Sequence, residues 1–374
     1  MHSGMLDRKN ESASQQHIFY AREQYTIALG EARQLVSEAA PAQIHRVLMV
    51  CLLFAAWEAV QGDYRASQRH MISGHALFAR FYHQIRQRAS LSAAIHEIMQ
   101  VLARMDISAV SFSDDSAPYQ SPADEHPGVD LWLSICAFRS IQEASLHLME
   151  IARWLLRLGS EIILGMSEED LSRRQAAIDK YSQRLEEWSI HWNAYHAAHN
   201  LSADSMSVLN VQLWHACTKA LVETGFNGPE TRNDKSIARF RDVVELCERL
   251  SSAIFQDSGA ISFSLDLGYL IPTFFVATRC RDPSIRRRAL AVLQTYPRHE
   301  GAWQSGPAAV IAKSWMEVEE DGLGGVQEAA QIPEKQRVVL MEVQVQKSDG
   351  RARLRFQLAG TDDSSPTVEK VVCW

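Results

Sequence analysis

From about Gln16 to Ala330 apolar residues return every three or four positions, without alternation of period two, so the pattern predicts one helix after another. Ile44, Val47, Leu48, Cys51, Leu52, Ala55 and Ala59 mark one stripe. Met49, Val50, Leu53 and Phe54 make the remaining faces apolar too, which predicts a central helix buried on all sides. Gly62-Asp63 supplies a stop and a fresh N-cap, and Tyr64 to about Arg86 reads as a second helix folding back to form an αα-hairpin. The polar stretch Ser111 to Gly128, with Pro118, Pro122 and Pro127, predicts a loop.

Beyond that loop Ala137, Ile141, Ala144, Leu148, Ile151, Leu155 and Leu158 step by four and three, and Ile178, Tyr181, Leu185, Trp188, Trp192 and Tyr195 repeat the step. Each row is a narrow seam, suited either to packing two helices of this chain nearly antiparallel or to a dimerisation zipper; three heptads are short for the latter. Further helices are expected over Ala203 to Glu223, Lys235 to Phe255 and Leu267 to Cys280, with Pro272 starting or kinking the last. Asp282-Pro283 places an N-cap before proline at the first helical position, and Ile285, Ala289, Leu290 and Leu293 give that helix its stripe. Only the tail changes period. Val339, Met341, Val343 and Val345 alternate, Ser348-Asp349-Gly350 reads as a turn, and Leu354, Phe356 and Leu358 alternate again, predicting a β-hairpin. Thr361 to Pro366 reads as a flexible link to the last residues.

The expected fold is all-α, a multi-helix array of antiparallel helix pairs over residues 1–332, with a small β-hairpin in a tail over residues 333–374. A chain of 374 residues can bury one large core or two smaller ones, and 46% apolar and 22% charged residues are ordinary for a globular protein. A formal net charge of -7 offers no general attraction to a phosphate backbone. Cys51, Cys136, Cys217, Cys247, Cys280 and Cys373 include no C-x-x-C pair and read as buried thiols of a reducing compartment. The polar start, Met1 to Gln16, lacks a secretory layout, and the longest apolar run, Val47 to Trp57, is about half a bilayer crossing. A soluble intracellular protein is expected.

Four stretches resemble, in order, the regulatory domain of fungal binuclear zinc-cluster transcription factors. They are CLLFAAWEAVQGDYRASQRHMISGHALF (Cys51 to Phe78), RMDISAVSF (Arg104 to Phe112), FRSIQEASLHL (Phe138 to Leu148), and CRDPSIRRRAL followed by RHEGAWQSG and VEEDG (Cys280 to Gly322). Ser145 stands where the family pattern usually has arginine. The six-cysteine zinc cluster, basic linker and coiled coil that usually precede this domain do not occur in the sequence. The resemblance therefore implies a nuclear, transcription-related role through other transcription-related proteins or a small effector, with no sequence-specific DNA contact from this chain alone. Control of a fungal secondary-metabolite gene cluster fits that role. A cytoplasmic protein, a scaffold turned to small-molecule binding or catalysis, and a truncated gene model are the alternatives.

No nucleophile elbow, phosphate-cradling glycine loop or paired-histidine zinc helix occurs, so no catalytic, cofactor or metal residues are assigned. His299 beside Glu300 is adjacency, not a dyad. His191, His196, His199 and His215 form the densest histidine cluster; His196 and His199 could share a metal, but no cysteine or carboxylate completes the set, which favours solvated or capping roles. Arg279, Arg281, Arg286, Arg287 and Arg288 could meet an anion at a helix start. The acidic balance of the chain instead favours pairing of one or two with Glu300, Glu317 or Glu319 and solvation of the rest. Glu58, Asp63, Arg104 and Asp106 read as architectural. Trp188, Trp192, Tyr195 and Trp214 are where a ligand pocket between helices is sought first, against the reading that they are core aromatics.

Overall fold

A computed structural model of the chain describes residues 3–37, 43–86, 89–111, 137–160, 167–258, 262–346, 350–359 and 367–374. The described helices are α1 (Ser3–Ser37), α2 (Ile44–Val60), α3 (Tyr64–Arg86), α4 (Ala89–Ser111), α5 (Ile141–Ser160), α6 (Glu168–His199), α7 (Met206–Thr224), α8 (Ile237–Ser258), α9 (Leu270–Arg279), α10 (Pro283–Thr295) and α11 (Ser305–Glu319). The all-α expectation holds, and the α2–α3 hairpin forms where Gly62-Asp63 predicts it. Gly62 takes φ 66° and Asp63 Oδ1 accepts from Ala66 N at 3.0 Å. Apart from Ser111, the expected Pro-rich loop lies outside the described residues, as do Cys136 and the whole 361–366 link.

Two apolar cores divide the helical body. The smaller joins α2, α3 and α4 through Leu48, Leu52, Ala55, Met71, Phe78, Ile98 and Leu102. The larger runs from α5 to α11 and takes in both narrow seams: Ala144, Leu148, Ile151 and Leu155 meet Ile178, Tyr181, Leu185 and Trp188 inside one chain. The seams are thus an intramolecular helix pair and not a zipper. The helix α2 is not buried all round. Met49 and Leu53 remain 43% and 58% exposed, because α3 and α4 cover one side only. Tyr25 of α1 covers part of the rest, stacking on Trp57 and donating its hydroxyl to Glu58 Oε1 at 2.6 Å.

Pro272 falls in the first turn of α9, where a missing N–H costs no intrahelical bond. Asp282 caps α10 as predicted, its Oδ1 accepting from Ser284 N and Ile285 N, both at 3.0 Å. Cys51, Cys217, Cys247 and Cys280 are buried, but Cys373 is exposed, contrary to expectation, because it sits on an outward-facing strand position.

The tail forms more than a hairpin. β4 (Val338–Gln346), β5 (Arg351–Leu358) and β6 (Thr367–Cys373) make an antiparallel sheet with β5 central. A bulge between Val338 and Leu340 shifts the phase, so Val338 is the buried residue at the strand start and Val339 only half-buried. Leu354, Phe356, Val343 and Val338 close a third core on Ile311, Trp315 and Val318 of α11. A second small sheet, of β1 (Ser262–Ser264), β2 (Arg298–Glu300) and β3 (Trp303–Gln304), lies within the helical region that showed no alternation. Strands of two or three residues are too short to display a period.

Candidate functional site

The sequence blocks that carry the resemblance meet in space. Asp106 and Arg153, from α4 and α5, form a buried ion pair, and Arg104 pairs with Asp266. Ser108 Oγ accepts from Ala302 N at 2.8 Å, and Trp303 Nε1 donates to Ser108 O at 3.2 Å. Arg298 holds Glu300 Oε1 at 2.7 Å, while Glu300 Oε2 accepts from Gly268 N at 3.0 Å and Leu270 N at 3.2 Å, satisfying free donors at the start of α9. Gly301 has φ 58°, and a Cβ there would lie 2.5 Å from Ser108 Oγ, so only glycine lets the two segments approach. The run from Arg298 to Trp303 is therefore a clasp between α4, α9 and α11. Glu58, Asp63, Arg104 and Asp106 have the architectural roles expected of them.

The arginine cluster is largely internal. Arg281 and Arg286, both fully buried, share Glu319, with Nη2 atoms 2.7 Å from Oε1 and 2.9 Å from Oε2. Glu319 Oε1 also accepts from Trp315 Nε1 at 3.0 Å and from Val338 N at 2.9 Å, so one carboxylate joins two helices to the first residue of the sheet. Arg287 reaches Glu320 at 2.6 Å and Arg288 reaches Glu248 at 2.8 Å. Of the three carboxylates considered from sequence only Glu319 serves the cluster; Glu300 holds Arg298 and Glu317 meets Lys370 and Lys313. Burial alone would raise the Glu319 carboxyl, but Arg281 and Arg286 outweigh it and hold the group below the ordinary glutamate value.

Sequence reasoning missed the second carboxylate, Glu230, which sits in a 3₁₀ turn (Glu230–Ser236) before α8. Arg281 Nη1 at 2.9 Å, Arg279 Nη1 at 3.1 Å and Arg232 Nη1 at 3.1 Å converge on its two oxygens. Arg337 pairs with Asp234 at 2.7 Å, and Glu334 accepts from the backbone N–H groups of Glu230 and Thr231.

Arg232 and Arg279 end in a cavity of about 530 Å³ between the α5–α9 body and β4. Its aromatic wall is Phe226, Phe274, Phe275, Trp303 and Trp315, and Leu156, Ile271, Leu340 and Met341 add aliphatic surface. Thr278 and Asn233 stand beside the two arginines. Arg279 lies over the Trp315 ring at 5.3 Å. A second cavity of about 250 Å³ adjoins across Phe274, Trp303 and Met341, reaching Val60, Tyr64 and Trp374. The volumes suit a small organic molecule.

The four aromatics singled out from sequence pack elsewhere. Trp188 and Trp214 are buried, donating their indole N–H groups to Ala144 O at 2.8 Å and Gly268 O at 3.0 Å. Trp192 stacks on Trp188, and Tyr195 on Trp192. None of the four lines either cavity. His215 meets Ser189 Oγ at 2.7 Å, His199 Nδ1 meets Tyr195 O at 2.9 Å, His196 leans on Trp192 and His191 on Phe138. Among the described residues no three His, Cys, Asp or Glu side chains converge as metal ligands, and no helix is long and apolar enough to cross a membrane.

One comparison gives these blocks a setting. The chain is similar to a fungal transcription regulator. The relative is the aspercryptin biosynthesis cluster-specific transcription regulator atnN of Emericella nidulans, 22% identical over 411 aligned positions that take in 86% of this chain. The match covers 66% of that relative's length, just under two thirds. No protein-family profile matches the chain, and no solved structure does.

Proposed function

We propose that this chain is a nuclear regulator of transcription that acts through transcription-related partners or a small effector, and that the residues described make no sequence-specific DNA contact by themselves. The observation that carries the reading is the likeness to a cluster-specific transcription regulator across 86% of the chain. The interlocked blocks add to it, since a clasp that joins α4, α9 and α11 makes one mechanical unit of the segments that line the cavity. A net charge of -7 gives no field to hold the DNA backbone unaided, because that affinity comes mainly from neutralised phosphates. The target genes are those of a fungal secondary-metabolite cluster. Tagging the chain and mapping its chromatin association tests the reading: enrichment over one gene cluster is expected. Strict cytosolic residence without a nuclear partner, or turnover of a pathway metabolite by the purified chain, would overturn it.

A further inference from the structure

We propose that the cavity between the α5–α9 body and β4 binds an organic acid with a flat, apolar body, its carboxylate seated on Arg279 and Arg232. This names the effector class for the reading above and rests on that reading only for its biological meaning, since binding itself is a property of the cavity. Arg279 and Arg232 are the charged residues of its lining, which includes no acidic side chain. Both share Glu230 with Arg281, and Arg281 and Arg286 in turn share Glu319. The wider cluster sets six guanidinium groups, Arg232, Arg279, Arg281, Arg286, Arg287 and Arg337, against the five carboxylates of Glu230, Asp234, Glu319, Glu320 and Glu334. The unmatched charge falls at the cavity end, where three arginines converge on one carboxylate.

Donors remain to use that charge. Arg279 donates through Nη1 to Glu230, and its other guanidinium nitrogens make no hydrogen bond among the described residues. Its side chain keeps 29% of its surface exposed and lines the cavity. Arg232 spends Nη1 on Gly228 O, Pro229 O and Glu230, and its Nε is buried out of reach, which leaves Nη2 without a hydrogen bond among the described residues. A carboxylate can accept two such N–H bonds in the geometry guanidinium favours, and the charge assistance makes them strong. At the other end the wall of Phe226, Phe274, Phe275 and Trp303 offers ring faces and edges but few free donors, because Trp303 Nε1 is spent on Ser108 and Ser111 and Trp315 Nε1 on Glu319. That wall rewards apolar, planar surface.

Pyrenebutyrate and its uncharged amide probe the site, with pyrene fluorescence read against the full-length chain, its Arg279→Gln variant and its Leu340→Trp variant. Removing the Arg279 charge leaves Glu230 with Arg281 and Arg232, and Leu340 is 52% exposed, so both variants can keep the fold; matched thermal unfolding of each checks this. The acid is expected to bind about tenfold more tightly than the amide, as charged hydrogen bonds of this kind contribute. R279Q should erase the difference, and L340W, which fills the mouth, should weaken both ligands. Equal binding of acid and amide, an unchanged preference in R279Q, or no binding by the wild-type chain overturns the proposal. Chromatin enrichment is a separate readout, so a silent cavity in a chromatin-associated protein refutes the ligand class alone, and a binding cavity in a cytosolic protein refutes the nuclear role alone.

Discussion

Replacing Glu319 by glutamine keeps the shape of the side chain and removes its charge, so it isolates what the buried carboxylate contributes. Glu319 is fully buried, as are Arg281 and Arg286, and its two oxygens also take the indole N–H of Trp315 and the backbone N–H of Val338. Taking one charge from such a set leaves guanidinium groups desolvated without compensation, and an amide N–H₂ turned toward a guanidinium is a donor facing donors. Disrupting buried pairs of this kind costs about 3–5 kcal/mol, a large part of the roughly 5–15 kcal/mol that holds a typical domain together. The matching control is Glu317→Gln on the outer face of the same helix. There the carboxylate meets Lys370 at 2.8 Å with both partners partly exposed, and the expected loss is about 0–1 kcal/mol. Urea unfolding followed by tryptophan fluorescence compares the two. Because Val338 N is held by Glu319, loosened β4–β6 should exchange backbone amide protons faster in the Glu319 variant. If the two substitutions cost the same within about 1 kcal/mol, the carboxylate does not anchor the cluster and the argument from burial fails. Replacing Arg281, Arg286 and Glu319 together by methionine or leucine should recover part of the loss, since an apolar set carries no desolvation penalty.

Glu319 and Glu230 both lie below the ordinary glutamate value of 4.5, their arginine neighbours outweighing the upward push of burial. Their contribution is therefore complete above about 4.5 and is lost as pH falls through the folded values, and urea midpoints measured down a pH series should drop there. Burial, helped by Lys219, pushes the His215 imidazole down to about 4 from 6.5, so stability should begin to fall below about 6.5 as the unfolded chain takes up that proton first; His215→Gln should flatten the slope between those limits. Asp106→Ala takes the buried partner from Arg153 and leaves it Glu150 at 3.1 Å, and should cost about 3 kcal/mol, visible in the same urea series. A Cβ at Gly159 would stand 2.9 Å from Cδ1 of Phe226, so Gly159→Ala should displace that ring from the cavity wall, cost about 1–3 kcal/mol, and weaken pyrenebutyrate binding.

What could be read in advance were the features whose cause lies within a few residues. Asp63 after Gly62 and Asp282 before Pro283 cap α3 and α10 where they were expected, because a cap is decided by a side chain and an N–H two or three positions on. The seam residues of α5 and α6 gave their helices for the same reason. Periodicity states which positions are apolar, not how many neighbours will cover them. Leu53 of α2 is as apolar as Leu52, yet one is 58% exposed and the other buried, since α3 and α4 reach only one side. The strand β6 escaped for a related reason, as Thr367–Cys373 includes two charged residues and acquires its pairing from β5. The arginine cluster was half legible. Glu319 was among its expected partners, but Glu230 stands 51 residues before Arg281 and carries no local mark.

The cavity was the least legible feature, because α4, α5, α7, the turn before α8, α9, β3, α11 and β4 each contribute a few residues to it. Every one of those residues has an ordinary structural reading in its own segment. Arg279 reads as one more member of a solvated or paired cluster, and only its position at the end of α9, beside Trp315 and short of an acceptor for its remaining donors, separates it from Arg281 two residues later. The same carboxylate, Glu230, links the two, so the ion network that fixes α9, α10, α11 and the sheet continues into the cavity wall. A ligand carboxylate placed on Arg279 would compete with Glu230 for that guanidinium and return charge to Arg281, coupling an occupied cavity to the packing of the sheet through contacts already in place.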